Sequence, residues 1–317
     1  MPEKLFRCMF RILKEVLKSI IPPSIVHRVR CASVNNKHKK CGSEIKWIVG
    51  SLSGVLLQDF KPLKKIDGHK IIWQYWAQGF ESTNMPDLVK VCLRSVELHS
   101  EGYKLFRISD KNINEYIEIP DWLRNRMTIM SKAHFSDLLR CVVLSLYGGL
   151  WLDAAVFLSG DIPQYIYEDD FFLYRRDDRE KNKVFWENTF AYYFGYSPDF
   201  SVKSLIGIMY SLKDGRVVSD FAEMLLTFWK NYDNSPDYFF FQILIEEYFK
   251  QHPELLPRII NDTIPHLLRQ YINETPAPGY SVPDILKETT VHSLNYKSSV
   301  ACENLLSLFP EYIKYLN

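Results

Sequence analysis

The amino-acid sequence predicts an α/β fold in which helices cover both faces of a mostly parallel sheet. Residues 70–76 form a β-branched and aromatic run that is typical of a buried strand, and residues 103–108 form a second one. Residues 132–147 have the most regular helical periodicity in the chain, with one unbroken apolar face. Because strands and helices alternate along the chain, we expect parallel strands joined by helical crossovers.

The composition is that of a globular protein. Hydrophobic residues make up 47% of the 317 residues and charged residues 24%, which excludes a disordered or fibrous chain. The 39 Lys and Arg nearly balance the 38 Asp and Glu, so the chain lacks the positive field that a nucleic-acid partner requires. The six cysteines show no CxxC spacing, which predicts free thiols in a reducing compartment, without disulfides or a zinc site.

The first 50 residues are strongly basic, with eleven Lys and Arg against three acidic residues. Residues 4–21 are predicted to form an amphipathic helix with a basic stripe, which Pro22 and Pro23 end. Charges interrupt every apolar run, so this is not a signal peptide. No stretch reaches the roughly 18 uncharged apolar residues that span a bilayer. Two alternatives remain: the helix lies on an anionic membrane surface, or it docks on the protein with its basic face in solvent.

The character of the sequence changes near residue 68. We predict a basic N-terminal helical arm over residues 1–68 and one α/β domain over residues 69–317, because no linker or repeat interrupts the second part. The reducing compartment that the cysteines indicate predicts a cytoplasmic protein. If the arm binds anionic lipid, the protein attaches peripherally to the inner face of the plasma membrane.

Further elements follow the first strand in order. Residues 87–99 have the periodicity of a helix, and Gly148 and Gly149 end the helix of residues 132–147. A short apolar strand over residues 150–152 comes next, and an apolar run continues it. The remaining predicted elements are strands near residues 171–174 and 189–196 and helices near residues 202–212, 218–229 and 238–250.

Three charged residues between positions 133 and 158 are candidate site residues. Asp137 and Arg140, spaced i, i+3, project from the helix away from its apolar face, which on spacing alone is typical of a solvated ion pair. Asp153 ends the strand of residues 150–152, at the strand edge where ligands of such sheets bind. Its neighbours are apolar, and an unpaired carboxylate is costly to bury there. A cationic partner is therefore expected, and Mn²⁺ or Mg²⁺ suits an oxygen ligand.

The phrases SDLLR and LYGGLWLD around these residues resemble the hallmark of glycosyltransferase family 32, and KIIWQYW resembles the first strand of that family. The phrases PDLVKVCLRSV, IPDWL, AHFSDLLR and YGGLWLDAAVFL, in this order, resemble the capsular polysaccharide synthesis proteins among its relatives. The similarity extends over roughly residues 69–195. Any one phrase is a weak signal, and the combination is specific.

The resemblance implies a GT-A fold, which is Rossmann-like, and a nucleotide-sugar donor, most often a UDP-sugar. It also implies Mn²⁺ or Mg²⁺ as cofactor and transfer with retention of anomeric configuration. Trp76 matches the aromatic residue that stacks on the donor base. Asp137 matches the carboxylate that bonds the donor sugar, and Arg140 the arginine that reaches the sugar and diphosphate. Asp153 matches the first Asp of the Asp-X-Asp metal motif.

The sequence departs from that motif at Ala155, which stands where the second Asp is expected. The chain therefore supplies fewer direct metal ligands. His292 is our candidate for a further metal ligand, with an ordinary core or surface histidine as the alternative. Lys297 is a candidate for the diphosphate, and Asn188 for the donor or acceptor site.

The expected function is that of a hexosyltransferase-type glycosyltransferase. It would move a sugar from the nucleotide donor to a growing capsular or other surface polysaccharide, as a free or lipid-linked glycan. Two alternatives remain: a protein-directed glycosyltransferase, as in the related clostridial toxins, or a non-catalytic scaffold of this fold in a polysaccharide assembly. The joint presence of Asp137, Arg140 and Asp153 favours an active enzyme. No general base is assigned, because in front-face retaining transfer the departing phosphate oxygen accepts the proton.

Overall fold

A computed structural model of the chain describes residues 22–66, 68, 70–298 and 300–316. The amphipathic helix predicted over residues 4–21 lies outside the described residues. No helix in the described part of the chain is long and apolar enough to cross a membrane.

Strands and helices are interspersed along the chain. The strands are β1 (Lys61–Pro62), β2 (Ile71–Tyr75), β3 (Lys104–Ile108), β4 (Ile117–Glu118), β5 (Gly149–Leu152), β6 (Val156–Leu158), β7 (Phe171–Arg175), β8 (Ser204–Ser211) and β9 (Val291–Ser293). The α-helices are α1 (Pro23–Ile45), α2 (Asp87–Leu98), α3 (Asp121–Met127), α4 (Lys132–Tyr147), α5 (Lys183–Thr189), α6 (Arg216–Asn231), α7 (Phe240–Gln251), α8 (Leu267–Ile272), α9 (Val282–Glu288) and α10 (Ala301–Leu308). The predicted α/β class is confirmed.

The central sheet has five strands in the order β3-β2-β5-β8-β7. The pairs β3–β2 and β2–β5 are parallel, whereas β5–β8 and β8–β7 are antiparallel. The sheet is therefore mixed rather than mostly parallel as predicted. Trp73 and Trp151 are neighbours across the β2–β5 pair, on the side of the sheet covered by α4 and α6. Ile72 and Leu150 are neighbours in the same pair and belong to the core on the other side. Both faces are buried in β2, β5, β7 and β8, whereas the edge strand β3 is partly exposed.

The helix predicted near residues 202–212 is wrong, because this segment is strand β8. All eight residues of β8 are buried. A strand that is buried on both faces is apolar throughout, so its period-2 alternation is invisible in the sequence and it resembles a buried helix. This one error also accounts for the incorrect sheet direction.

The strand predicted near residues 189–196 is also wrong. Helix α5 ends at Thr189, and turns follow it. The buried Arg176 guanidinium donates to the backbone oxygens of Tyr193 and Gly195, at 3.0 and 3.1 Å. Because a side chain satisfies these carbonyls, this aromatic segment needs no strand partner.

Residues 23–51, which precede the central sheet, pack against α7. Their buried side chains belong to the same core cluster as the helices on the sheet: Val34, Cys41, Ile45, Ile48 and Val49. The Lys37 ammonium forms an ion pair of 2.7 Å with Asp237. Helix α1 is thus held to the rest of the described chain by apolar packing and by charge.

Two glycines allow α4 to turn directly into β5. Gly148 and Gly149 have φ of 70° and 104°, in the left-handed region that side chains disfavour. A Cβ on Gly148 would lie 2.6 Å from the backbone nitrogen of Lys213, and one on Gly149 would lie 2.7 Å from the backbone oxygen of Ile71. This tight connection brings the side chains of α4 close to Asp153, just past the end of β5.

Candidate active site

A cavity of about 810 Å³ opens at the carboxyl ends of β2 and β5. Trp76, which follows β2, and Asp153, which follows β5, both line it. Asp137 and Arg140 line it from α4, and residues 293–297 form another part of its wall. The structure thus brings the residues of separate sequence phrases to one cavity.

Arg140 connects the two carboxylates of the cavity floor. Its Nη1 donates to Asp137 Oδ1 at 2.9 Å, and its Nη2 donates to Asp153 Oδ1 at 2.8 Å. The Trp151 indole Nε1 donates to the same Asp153 oxygen at 2.7 Å. The Arg140 side chain is 2% exposed, whereas that of Asp153 is 44% exposed. The Asp137–Arg140 pair is therefore buried and shared with a third residue, unlike a solvated helical ion pair.

The surroundings of this cluster shift two ionisation equilibria. Burial, which outweighs the attraction of Arg140, raises the pKa of Asp137 to about 7, and the nearby Asp153 carboxylate adds to the rise. Burial alone would lower the pKa of Arg140, but Asp153 and Asp137 outweigh it and the pKa is raised. Arg140 stays charged at neutral pH, whereas Asp137 changes between its protonated and ionised forms near pH 7.

The second carboxylate oxygen of Asp153 faces Gly207 of β8. The Asp153 backbone N–H donates to the Gly207 oxygen at 2.8 Å. A Cβ on Gly207 would lie 2.7 Å from Asp153 Oδ2. Glycine at this position leaves the space that the carboxylate occupies.

His292 and Asn188 lie apart from this group. His292 of β9 is fully buried, its Nε2 lies 2.8 Å from Ser159 Oγ, and burial lowers its pKa to about 3. The next residue, Ser293, lines the cavity, because successive side chains of a strand point to opposite sides. Asn188 of α5 lies 3.0 Å from the ring of His27, on the side of α1. Neither His292 nor Asn188 is among the residues that line the cavity.

Trp76 and Lys297 do line the cavity. The ring of Trp76 meets that of Tyr296 edge to face, with centroids 5.7 Å apart. Lys297 is exposed, and none of the ion pairs formed by the described residues includes it. This end of the cavity therefore combines an aromatic pair with an exposed positive charge.

Arg269 of α8 also lines the cavity, although the sequence did not predict it there. It is half-buried, and no ion pair among the described residues involves it. Burial lowers its pKa. Its segment, LLRQYI, lies outside the recognised phrases, so no sequence signal distinguished it from other arginines.

Comparison with known protein families gives one match. The sequence model of the capsular polysaccharide synthesis proteins matches residues 32–312. The chain belongs to this family. The predicted resemblance to the family is confirmed, whereas the relation to glycosyltransferase family 32 stays a prediction. A search of curated proteins finds no match.

The family match is longer than the resemblance read from the phrases. It begins within α1 and ends beyond α10, so it includes every residue that lines the cavity. Membership in a capsular polysaccharide synthesis family gives the chain a role in capsule biosynthesis.

Proposed function

We propose that this family member is a glycosyltransferase that moves a sugar from a nucleotide-sugar donor, a UDP-sugar in the first instance, to a growing capsular polysaccharide. The observation that carries the proposal is the Asp137–Arg140–Asp153 cluster on the floor of the cavity. It lies at the carboxyl ends of the strands, where α/β sheets bind ligands. The cavity volume of about 810 Å³ is within the range of small-molecule and cofactor sites.

Mn²⁺ or Mg²⁺ fits Asp153 as part of a complex with the donor. Ala155 supplies no second carboxylate, and in the described part of the chain no group of three metal-ligating side chains includes Asp153. One carboxylate together with substrate phosphates and water is a common arrangement for Mg²⁺. When bound there, the cation supplies positive charge to the leaving diphosphate. We therefore expect metal binding to depend on the nucleotide.

Two cations of the cavity wall suit the diphosphate. Arg269 and Lys297 have no carboxylate partners among the described residues, so their charges are available to an anion. Fixed positive charge next to a leaving diphosphate favours the transition state, in which negative charge builds there. Arg140, by contrast, is engaged with two carboxylates, and we assign it the positioning of Asp137 and Asp153.

Asp137 suits the sugar end of the donor. Its pKa of about 7 lets the carboxyl group accept or donate a hydrogen bond at neutral pH, which matches sugar hydroxyls. Aromatic rings of Phe190, Tyr193 and Tyr238 line the neighbouring wall. Trp76 and Tyr296 provide the corresponding aromatic surface for the base. We propose retention of configuration, with the departing phosphate oxygen as proton acceptor.

Nucleotide release tests this function. The full-length protein is incubated with Mn²⁺ and a panel of UDP-, GDP- and CMP-linked sugars, and the free nucleotide is measured. We expect slow hydrolysis of one donor class, lost in Asp153→Asn and kept in Asp169→Asn. Asp169 is a matched control, since its side chain is 49% exposed and lies 3.7 Å from Arg258, outside the cavity. Release from none of the donors, or equal release by both variants, would contradict the proposal.

We further propose that the acceptor is lipid-linked and that the basic N-terminal region holds the enzyme at the inner face of the plasma membrane. Exposed Ile25, Val26 and Val29 on α1, with Arg28 and Arg30 between and beside them, suit an anionic lipid surface. Deleting residues 1–21 together with the substitutions Ile25→Asp and Val29→Asp is expected to reduce sedimentation with anionic liposomes. Unchanged sedimentation would remove the membrane partner from the proposal.

A further inference from the structure

A histidine, a cysteine and a carboxylate meet between α1 and α5, away from the cavity. His27 and Cys31, spaced i, i+4, lie on one face of α1, and Glu187 approaches from α5. His27 Nε2 lies 2.9 Å from Glu187 Oε2 and 3.7 Å from Cys31 Sγ. The three ligand atoms all lie within 4.8 Å of one another. Each side chain is partly buried.

Neighbouring groups orient two of these side chains. The other ring nitrogen of His27, Nδ1, lies 3.0 Å from Asn188 Oδ1, which accepts its proton. The other carboxylate oxygen of Glu187 accepts the backbone N–H of Tyr196 at 3.2 Å. Both contacts leave His27 Nε2 and Glu187 Oε2 next to each other and within 4.8 Å of the Cys31 thiol. Support of this kind, in which the second histidine nitrogen donates to an oxygen, is typical of metal sites.

We propose that His27, Cys31 and Glu187 bind Zn²⁺. Zinc takes imidazole nitrogen, thiolate sulfur and carboxylate oxygen, at about 2.0–2.3 Å, in tetrahedral geometry. Ligand atoms of such a site lie roughly 3–4 Å apart, and the separations of 2.9 and 3.7 Å need only small side-chain shifts to reach it. Water would complete the coordination. Binding displaces to solvent the thiol proton of Cys31 and any proton that His27 Nε2 shares with Glu187 Oε2, because the ligands are the thiolate and the unprotonated ring nitrogen.

The chemistry of this site differs from that of Asp153. Mn²⁺ and Mg²⁺ prefer oxygen ligands, whereas a thiolate and an imidazole select zinc-like cations. A cation here would bridge α1 to α5. Residues 189 and 190, which line the cavity, directly follow Glu187 and Asn188. The site would therefore attach the N-terminal helix to the cavity wall, and it does not depend on the proposed sugar transfer.

Cobalt provides the test, because Co²⁺ occupies zinc sites and reports its ligands by absorption. The full-length protein is stripped with a chelator and titrated with Co²⁺. We expect one equivalent to give a thiolate-to-cobalt charge-transfer band and tetrahedral d–d bands, which Zn²⁺ abolishes. A spectrum without the charge-transfer band would overturn the proposal.

Variants assign the ligands. Cys31→Ser and His27→Gln are each expected to lose the charge-transfer band, whereas Cys302→Ser, which removes another partly buried free cysteine, keeps it. Asn188→Ala is expected to weaken Co²⁺ binding by about 10–100-fold, because it removes the acceptor that orients His27. Asp153→Asn should leave the titration unchanged. A band that survives in Cys31→Ser, with native circular dichroism, would show that the thiolate belongs elsewhere and overturn the site.

Discussion

Arg140 and Arg176 are both almost fully buried, and each is paired with carboxylate in a different way. Arg176 donates to both oxygens of Asp262, at 2.7 and 2.8 Å, and neither side chain has any exposed surface. Arg140 is equally enclosed, but its partner Asp153 is 44% exposed and faces the cavity. The side chains of the Arg176–Asp262 pair contact only other protein groups, whereas the Arg140 cluster leaves the Asp153 carboxylate accessible to a ligand. Exposure of the acid, rather than burial of the arginine, distinguishes the candidate site.

The largest loss of stability is expected for Asp262→Asn. Asp262→Asn leaves the Arg176 charge buried without its partner and should lower the free energy of unfolding by about 3–5 kcal/mol. Urea denaturation measures this loss. A smaller loss of unfolding free energy than in Asp153→Asn would contradict the comparison. The buried Arg176–Asp262 pair would then matter less to the fold than the partly exposed Arg140–Asp153 pair.

The pH dependence of stability isolates Asp137. Its pKa is about 7 in the folded protein and lower in the unfolded chain, so between pH 4 and 7 the native state keeps a proton that the unfolded state has lost. This group therefore destabilises the protein as pH rises, by up to about 1.4 kcal/mol per pH unit. Asp137→Asn, which mimics the protonated acid, lacks this slope, so its free energy of unfolding relative to wild type should rise with pH between 4 and 7. Parallel urea curves at each pH measure it, and identical slopes would contradict the assigned pKa.

The smallest effect on stability is expected for Asp153→Asn. Its side chain is partly solvated, Arg140 keeps the bond to Asp137, and the amide oxygen can still accept from Trp151. We expect a cost of about 1 kcal/mol, the value of one hydrogen bond. A cost near that of Asp262→Asn would mean that Asp153 serves the fold.

The sequence predicted the parts of the molecule whose signals are local. Helix α4 has the predicted bounds of residues 132–147 because its apolar face repeats at helical spacing and two glycines end it. Strand β8 was missed because a strand buried on both faces carries no alternation. The incorrect sheet direction follows from the missed β8, which forms both antiparallel pairs. The strand predicted near residues 189–196 is absent because Arg176, which is distant in sequence, binds the backbone oxygens of that segment.

The same distinction applies to the candidate site. Asp137, Arg140 and Asp153 lie within one continuous stretch, and family phrases identified them before the fold was known. Arg269 comes from a distant helix with no such phrase. His292 and Asn188 were chosen by residue type, and which way each side chain faces depends on strand register and helix packing, which the sequence does not show.

Calorimetric titration of UDP, with and without Mn²⁺, tests the central claim most directly. Mn²⁺ without UDP provides the reference, and wild type is compared with Asp153→Asn and the control Asp169→Asn. We predict that Mn²⁺ tightens UDP binding to the wild type and to Asp169→Asn, and that Asp153→Asn, although folded, loses this gain. An equal gain in Asp153→Asn, or no UDP binding to the wild type, would contradict the account.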